Sequence, residues 1–282
     1  TQLFGDYVGR LAAYLSNVPV IISVEQNVNV GEAWHVYLVN RLTTGLLTRH
    51  IAISKAIQEF IIKRYHSRPE KTEVIYSGVN VNKFLIAEGS NKKNNSSPFV
   101  FGAIGRLAPQ KGFAVLIKAL QKIKSTNYTC LIAGEGPLRK DLQEQIDEAK
   151  LTDRVKLIGI QTDVKAFLGS LDFFVMPSIW EGLGLVALEA GLAALPVIAS
   201  NVDGLREIID ETTGLLIPAN NPEVLAASIA FCLDPQNNLK LKTLGQTLQK
   251  KVLDNFSLEA SIRGYDRLYQ KLLLEKHVTL YD

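Results

Sequence analysis

The sequence predicts an α/β chain of two lobes, each built on a parallel sheet with helices on its faces. Three observations predict it. Short runs rich in β-branched and aromatic residues alternate with longer amphipathic stretches along most of the chain, the rhythm of β-α-β units. A polar stretch without an apolar face, Glu-Gly-Ser-Asn-Lys-Lys-Asn-Asn-Ser-Ser-Pro from Glu88 to Pro98, interrupts that rhythm and reads as a linker or long surface loop. The 282 residues are enough for two α/β domains.

Before the linker, Val18–Val24 reads as a buried strand following the helix-breaking Pro19 region, Trp34–Leu47 as a helix and His50–Ile53 as a short strand. Ser54 is placed to cap a helix over Lys55–Tyr65, and Val74–Tyr76 is a strand closed by the Ser77-Gly78 turn. After the linker, strands are expected at 99–104, 128–133, 155–158, 172–176, 196–199 and 215–218. Helices are expected between and after them at 113–123, 138–150, 164–169, 185–194, 203–209 and 222–232. Right-handed crossovers then give a parallel sheet. A last amphipathic helix runs to Glu275, with Ser257 as its cap.

Composition excludes several classes. Hydrophobic residues make up 47% and charged residues 21%, a soluble globular balance. The formal charge of +3 demands no nucleic-acid partner. That excess lies in residues 1–85, with nine Lys or Arg against six Asp or Glu, while the remainder carries 22 of each sign. Cys130 and Cys232 form neither a CxxC pair nor a Cys/His cluster, so neither a zinc site nor a disulfide framework is indicated, and the chain is expected in the cytoplasm. The apolar run from Gly182 to Ala199 is almost long enough to span a membrane, but Glu189 and Pro196 inside it favour a helix followed by a buried strand. The chain opens on Thr1 rather than Met, which leads us to expect a segment upstream.

Ligands of open parallel sheets bind beyond the carboxyl ends of the strands. The first strand after the linker is followed by Gly105-Arg106-Leu107-Ala108-Pro109-Gln110-Lys111-Gly112, where two cations can converge on one anion. The second is followed by Gly134-Glu135-Gly136-Pro137, the third by Gly159 and Ile160. The fourth leads into Glu181-Gly182-Leu183-Gly184-Leu185, where bare amides meet a helix N-terminus, an arrangement suited to phosphate. Glu189 follows one to two turns into that helix, among apolar neighbours that imply enclosure. Each piece alone reads as a turn or a solvated charge. Together, in order, they suit a phosphorylated, hydroxyl-rich ligand, a nucleotide sugar. The G-x-G-x-x-G and P-loop patterns are absent, as is Asp-x-Asp, so no metal clamp on a diphosphate is indicated.

The run Glu-Gly-Leu-Gly-Leu-Val-Ala-Leu-Glu from Glu181 to Glu189 resembles the E-x7-E signature of family 4 retaining glycosyltransferases of the GT-B fold. The segments Gly105-Arg106-Leu107…Lys111-Gly112, Leu131–Pro137, Pro196–Ala199, Gly204…Glu207 and Thr213–Leu216 continue the match in order, as do Ile53–Ala56 and Val74–Asn80 upstream. The resemblance implies a partial N-terminal acceptor-side domain over 1–85, a donor-binding domain over 86–255, and a crossover helix over 256–282 that packs back on the first domain. It implies a nucleotide-diphosphate sugar (UDP or GDP) as donor, a glycan or lipid-linked acceptor, and no cofactor and no metal; separately, the basic residues Lys63, Arg64, Arg68 and Lys71 lead us to expect peripheral contact with the inner face of a membrane. By resemblance, Arg106 and Lys111 hold the diphosphate and offset its charge. Glu181 and the amides of Gly182 to Leu185 hold sugar and phosphate, with Glu181, Arg106 and Lys111 forming the catalytic set. Glu189 takes the ribose hydroxyls. Gly105, Gly134 and Gly136 line the phosphates, and the backbone at Gly159 and Ile160 meets the base.

Some positions depart from the family pattern. Gly191 stands where a Met is usual, Ala194 precedes the Leu-Pro step, Asp203 replaces one glycine of a pair, and Glu25-Gln26-Asn27 stands where a His is common. Gln26 and the opening at Thr1 keep a rival reading in view, a catalytically inactive nucleotide-sugar-binding or scaffolding module. A sugar epimerase or a phosphorylase on the same fold is a third.

Overall fold

The computed structural model describes residues 2–28, 33–85 and 98–275, with side chains from Tyr7 onward. Of the linker expected over Glu88 to Pro98, residues 88–97 lie outside the described residues. In chain order the elements are α1 (Gln2–Leu15), β1 (Ile22–Glu25), α2 (Trp34–Thr43), β2 (Arg49–Ala52), α3 (Lys55–Tyr65), β3 (Thr72–Val74), α4 (Val81–Phe84), β4 (Phe99–Ile104), α5 (Phe113–Leu120), β5 (Tyr128–Ala133), α6 (Arg139–Glu148), β6 (Val155–Gly159) and α7 (Val164–Gly169). There follow β7 (Phe173–Met176), α8 (Leu185–Leu192), β8 (Val197–Ser200), α9 (Leu205–Ile208), β9 (Leu215–Ile217), α10 (Pro222–Cys232), α11 (Asn238–Asn255) and α12 (Leu258–Glu275).

The chain divides into two compact units, one comprising Thr1–Gly78 with Leu258–Asp282 and the other Val79–Ser257. The sequence reading drew these borders at 85/86 and 255/256. Val79 belongs with the second unit because its N–H donates to Phe256 O at 2.9 Å.

In the first unit β1, β2 and β3 form a parallel sheet in that order. Ser54 caps α3 as expected, its hydroxyl accepting from Ile57 N at 3.1 Å, and Ile57, Ile61 and Tyr65 are buried at the spacing of one helical face. Leu268 and Leu272 of α12 pack on Ile51 and Ile75. Gly264 permits that approach, since a Cβ there would lie 2.9 Å from Ile75 Cγ2.

In the second unit six parallel strands run in the order β6-β5-β4-β7-β8-β9. Sequence neighbours β4 and β5 proceed one way and β7, β8 and β9 the other, so the order reverses between β4 and β7. All four residues of β7 and of β8 are buried, as expected of strands covered on both faces. Phe101 stacks on Phe173 at 4.5 Å between ring centroids and joins a core with Leu116, Ile117 and Leu120 of α5 and Leu225 and Ile229 of α10. The alternate residue Gly102 faces the other layer, within 2.9 Å (from an added Cβ) of the Phe167 ring of α7.

Three helices lie outside those expected, α1, α4 and α11. The last is 18 residues long, and Leu241, Leu244, Leu248 and Val252 are buried along it at helical spacing. It accounts for the glycine at 191: a Cβ there would sit 2.9 Å from Val252 Cγ2 and 3.0 Å from Leu248 Cγ. Side chains of α11 thus fill the space that a larger residue at position 191 of α8 would take. The expected helix at Leu185–Ala194 ends at Leu192, and Ala194 turns back with φ +53°.

Candidate active site

The strand order reverses between β4 and β7, the place at which open parallel sheets form a ligand crevice beyond their carboxyl ends. The loop after β4 carries Gly105, Arg106 and Lys111, and the loop after β7 carries Glu181 through Gly184. An ion pair joins the two loops across the reversal: Lys111 Nζ donates to Glu181 Oε1. The pair is nearly enclosed, with side chains 18% and 6% exposed. The same carboxylate oxygen accepts from Ser178 Oγ at 2.9 Å. Gln110 ties the loops again: its Nε2 donates to Trp180 O at 3.1 Å, and its own carbonyl accepts from Ile179 N at 2.8 Å.

The backbone explains why these loops meet so closely. Gly112 has φ +66°, and a Cβ there would lie 2.0 Å from Pro177 O. Gly134, at φ +134°, passes Gly105 O so closely that a Cβ would lie 1.9 Å from it. Only glycine satisfies both conditions at these two places. The aliphatic stem of Lys111 lies over Gly105, with Cγ, Cδ and Cε each 3.2 Å from where its Cβ would be. The strand-end glycines therefore serve loop-to-loop contact as well as any ligand.

Arg106 is exposed, and none of the ion pairs among the described residues includes it. It follows Gly105 directly in the loop after β4, a cation with no ion-pair partner among the described residues. The helix that follows Glu181 begins at Leu185 after Gly184, which has φ +89° and offers no side-chain cap. First-turn amides have no partner within their own helix. They mark a place of positive potential at the same crevice. Leu183 is buried and Leu185 half exposed.

Glu189 lies one turn further along α8. Burial pushes its carboxyl up to about 7, and Lys83 opposes that shift. Lys83 belongs to α4, which packs against α7 and α8 and is capped by Asn80, whose side chain accepts from Lys83 N at 3.1 Å. Gly134, Gly136 and Gly159 lie at the ends of β5 and β6, where the ladder shifts register between Ile132 and Ala133 so that Ala133 pairs with Gly159. Such irregularities re-aim a strand end. Gly159 O accepts from Gly134 N at 2.7 Å, and Gly136 touches Leu107. Ile160 is 71% exposed, beyond the edge strand.

The structure thus brings Gly105, Lys111, Gly134, Glu181 and Gly182 to Gly184 together around one strand reversal. Glu189 and Arg106 flank them, and Gly159 and Ile160 stand furthest out. The sequence reading passed over Ser178, Gln110 and Lys83. The signal for Ser178 was its position three residues before Glu181, the spacing of a local side-chain turn. The partners of Gln110 and Lys83 lie about 70 or more residues away, so no local pattern shows them.

A second polar cluster lies in the first unit. Arg10 is 4% exposed and donates to Ser23 Oγ at 2.7 Å and to Asn40 Oδ1 and Thr43 Oγ1 at 3.3 Å. His50, 1% exposed, meets Ser67 Oγ at 2.6 Å through Nδ1. Burial, and secondarily Arg10, lower its pKa to about 3, so it stays neutral. It is read as a structural polar core. Among the described residues no group of three or more His, Cys, Asp or Glu is placed to hold a metal ion. No helix among them is long and apolar enough to cross a membrane.

The family model described as Glycosyl transferases group 1 matches residues 87–249, which contain both loops of the crevice. A UDP-Gal:alpha-D-GlcNAc-diphosphoundecaprenol alpha-1,3-galactosyltransferase of Escherichia coli is 29% identical over 95% of this chain and 73% of its own length. An uncharacterized glycosyltransferase of Methanocaldococcus jannaschii is 35% identical over 79% of this chain and 59% of its own length. Among solved structures, HepE of Anabaena in complex with UDP superposes with a TM-score of 0.86 at 24% identity, covering 95% of this chain and 77% of that one. The GT-B architecture expected from the sequence is therefore shared.

Proposed function

The chain belongs to the glycosyl transferases group 1 family, and on that premise we propose that it is a retaining, metal-independent glycosyltransferase that takes a UDP- or GDP-sugar and hands the sugar to a glycan or lipid-linked acceptor. The observation that carries the reading is the Lys111–Glu181 pair, which joins the loops on either side of the strand reversal. It sets a cation and a carboxylate side by side, the two kinds of group that a diphosphate and a sugar hydroxyl call for.

In this reading Arg106, with Lys111 and the first-turn amides of α8, faces the diphosphate. As the bond from the anomeric carbon to the diphosphate oxygen breaks, negative charge grows on that oxygen, and these groups offset it without a metal or a resident cofactor. The acceptor hydroxyl oxygen bonds to the anomeric carbon on the same face, and its proton passes to the departing diphosphate. Glu181 orients the sugar, Glu189 takes the ribose hydroxyls, and Gly159 and Ile160 border the base. The acceptor is assigned to the first unit. A cytoplasmic setting at an inner membrane face fits the lipid-linked substrate named for the Escherichia coli relative. The basic residues Lys63, Arg64, Arg68 and Lys71 of the first unit support contact with anionic lipid.

A thermal-shift panel of UDP- and GDP-sugars in EDTA tests the donor reading, followed by calorimetry on the best ligand. Replacing Arg106 by Ala should weaken that ligand by about 1.5–3 kcal/mol, as for a charged hydrogen bond, and leave the melting temperature in place because the residue is exposed. No binding by any nucleotide sugar, or binding only when metal is added, refutes the proposal. Binding of a nucleotide sugar without transfer favours the inactive module. Flotation with anionic liposomes at low and physiological salt tests the membrane contact.

A further inference from the structure

Glu181 has two carboxylate oxygens, and the structure treats them unequally. Both fixed donors go to Oε1: the ammonium of Lys111 and the hydroxyl of Ser178, the latter at 2.9 Å. Oε2 takes none of the hydrogen bonds among the described residues. The Glu181 side chain keeps 6% exposure. A nearly buried carboxylate with one oxygen saturated and the other open offers a single acceptor in a fixed direction.

Ser178 is fully buried at the start of the loop after β7. Its hydroxyl reaches Glu181 over three residues, a local turn that fixes the carboxylate plane. Lys111 approaches from the neighbouring loop, its stem held over Gly105. Two donors from two directions on one oxygen leave the side chain little freedom to rotate and exchange its oxygens. We propose that Ser178 is a positioning residue: together with Lys111 it commits Oε1 of Glu181, and so presents Oε2 to one hydroxyl of the donor sugar. The inference rests on the nucleotide-sugar reading above. It adds that the sugar is read through one hydroxyl, whose direction Ser178 sets although it touches no ligand.

The test compares affinity for a nucleotide sugar with affinity for its bare nucleoside diphosphate, by calorimetry. The probe is whichever of UDP-glucose, UDP-galactose, UDP-N-acetylglucosamine and GDP-mannose gives the largest thermal shift. Ser178→Ala should weaken the nucleotide sugar about five- to tenfold, the loss of one orienting hydrogen bond, and leave UDP or GDP within about twofold. Ser178→Cys, close in size but a poor donor, should do the same, which guards against a packing effect of the Ala variant. Adding either change to Glu181→Gln should cost nothing further, because the carboxylate that Ser178 positions is already gone. Equal losses for both ligands would mean that Ser178 serves only the fold. Full retention of sugar discrimination in Ser178→Ala and Ser178→Cys, with Glu181→Gln losing it, would overturn the inference and leave the donor reading intact. If Glu181→Gln discriminates like the unaltered protein, or no probe binds, the donor reading fails and this inference with it.

Discussion

Removing one partner of the Lys111–Glu181 pair gives the sharpest test of how the crevice is built. Lys111→Met keeps the stem that covers Gly105 and deletes the ammonium. Breaking a fully buried ion pair costs about 3–5 kcal/mol because the remaining charge is left unpaired. Here two observations reduce that figure. The lysine side chain retains 18% exposure, so water can partly replace it. Glu181 also keeps the Ser178 hydroxyl. A loss of about 2–3 kcal/mol is therefore expected, between the exposed and fully buried limits. Glu181→Gln should cost somewhat less, since the stranded lysine can reach solvent more easily. The double variant should be less destabilised than the sum of the two by at least about 1 kcal/mol, the coupling of a real contact. Urea denaturation with a constant m-value measures all four corners of the cycle. A coupling near zero would show that the pair is not formed in solution, and would remove the link between the two loops on which the active-site reading depends.

Three further outcomes are expected. Glu189→Gln separates stability from binding: the folded state holds the Glu189 proton more tightly than the unfolded chain, so its contribution is lost as pH rises between about 4.5 and 7. The Gln variant should accordingly be more stable than the native protein at pH 8, about equal at pH 5, and weaker for nucleotide at pH 8; lower stability at both pH values would make Glu189 a structural residue instead. His50 acts in the opposite sense, because its depressed pKa of about 3 means that the unfolded chain binds the proton first. Acidification from pH 7 to pH 5 should then cost the first unit about 2 kcal/mol, a loss absent from His50→Gln if the denaturation midpoints are compared at both pH values. Gly112→Ala places a β-carbon 2.0 Å from Pro177 O at φ +66° and should cost at least about 2 kcal/mol and weaken nucleotide binding. Gly45→Ala, with no atom within 4 Å, should stay within about 0.5 kcal/mol, and similar melting temperatures for the two would refute the close-approach argument.

What could be read from the sequence was local. Strands such as Phe173–Met176 announce themselves by apolar β-branched and aromatic residues next to glycine or proline, and Ser54 before Lys55–Tyr65 is a cap on sight. Helix α11 carries the same kind of signal in Leu241, Leu244, Leu248 and Val252, but the exposed Leu239 and the helix-weakening Gly245 mask the period. That glycine is required, since its Cβ would strike Ala194 O at 2.1 Å. The crevice was legible as a set of strand ends. Which of those ends touch was not, because Lys111 and Glu181 are 70 residues apart and meet only through the strand order β4-β7. The same holds for Arg10, whose partners lie 13 to 33 residues along the chain.

The close passage of Gly112 against Pro177 and of Gly134 against Gly105 bears on how such a protein can be re-engineered. Each loop is shaped to the backbone of its neighbour, so a loop transplanted alone from a relative with another sugar preference would meet a surface built for a different main-chain path. Chimaeras that carry the segments 105–112, 134–137 and 177–184 as one cassette keep those surfaces matched. Exchanging them singly should give misfolded protein more often than altered specificity.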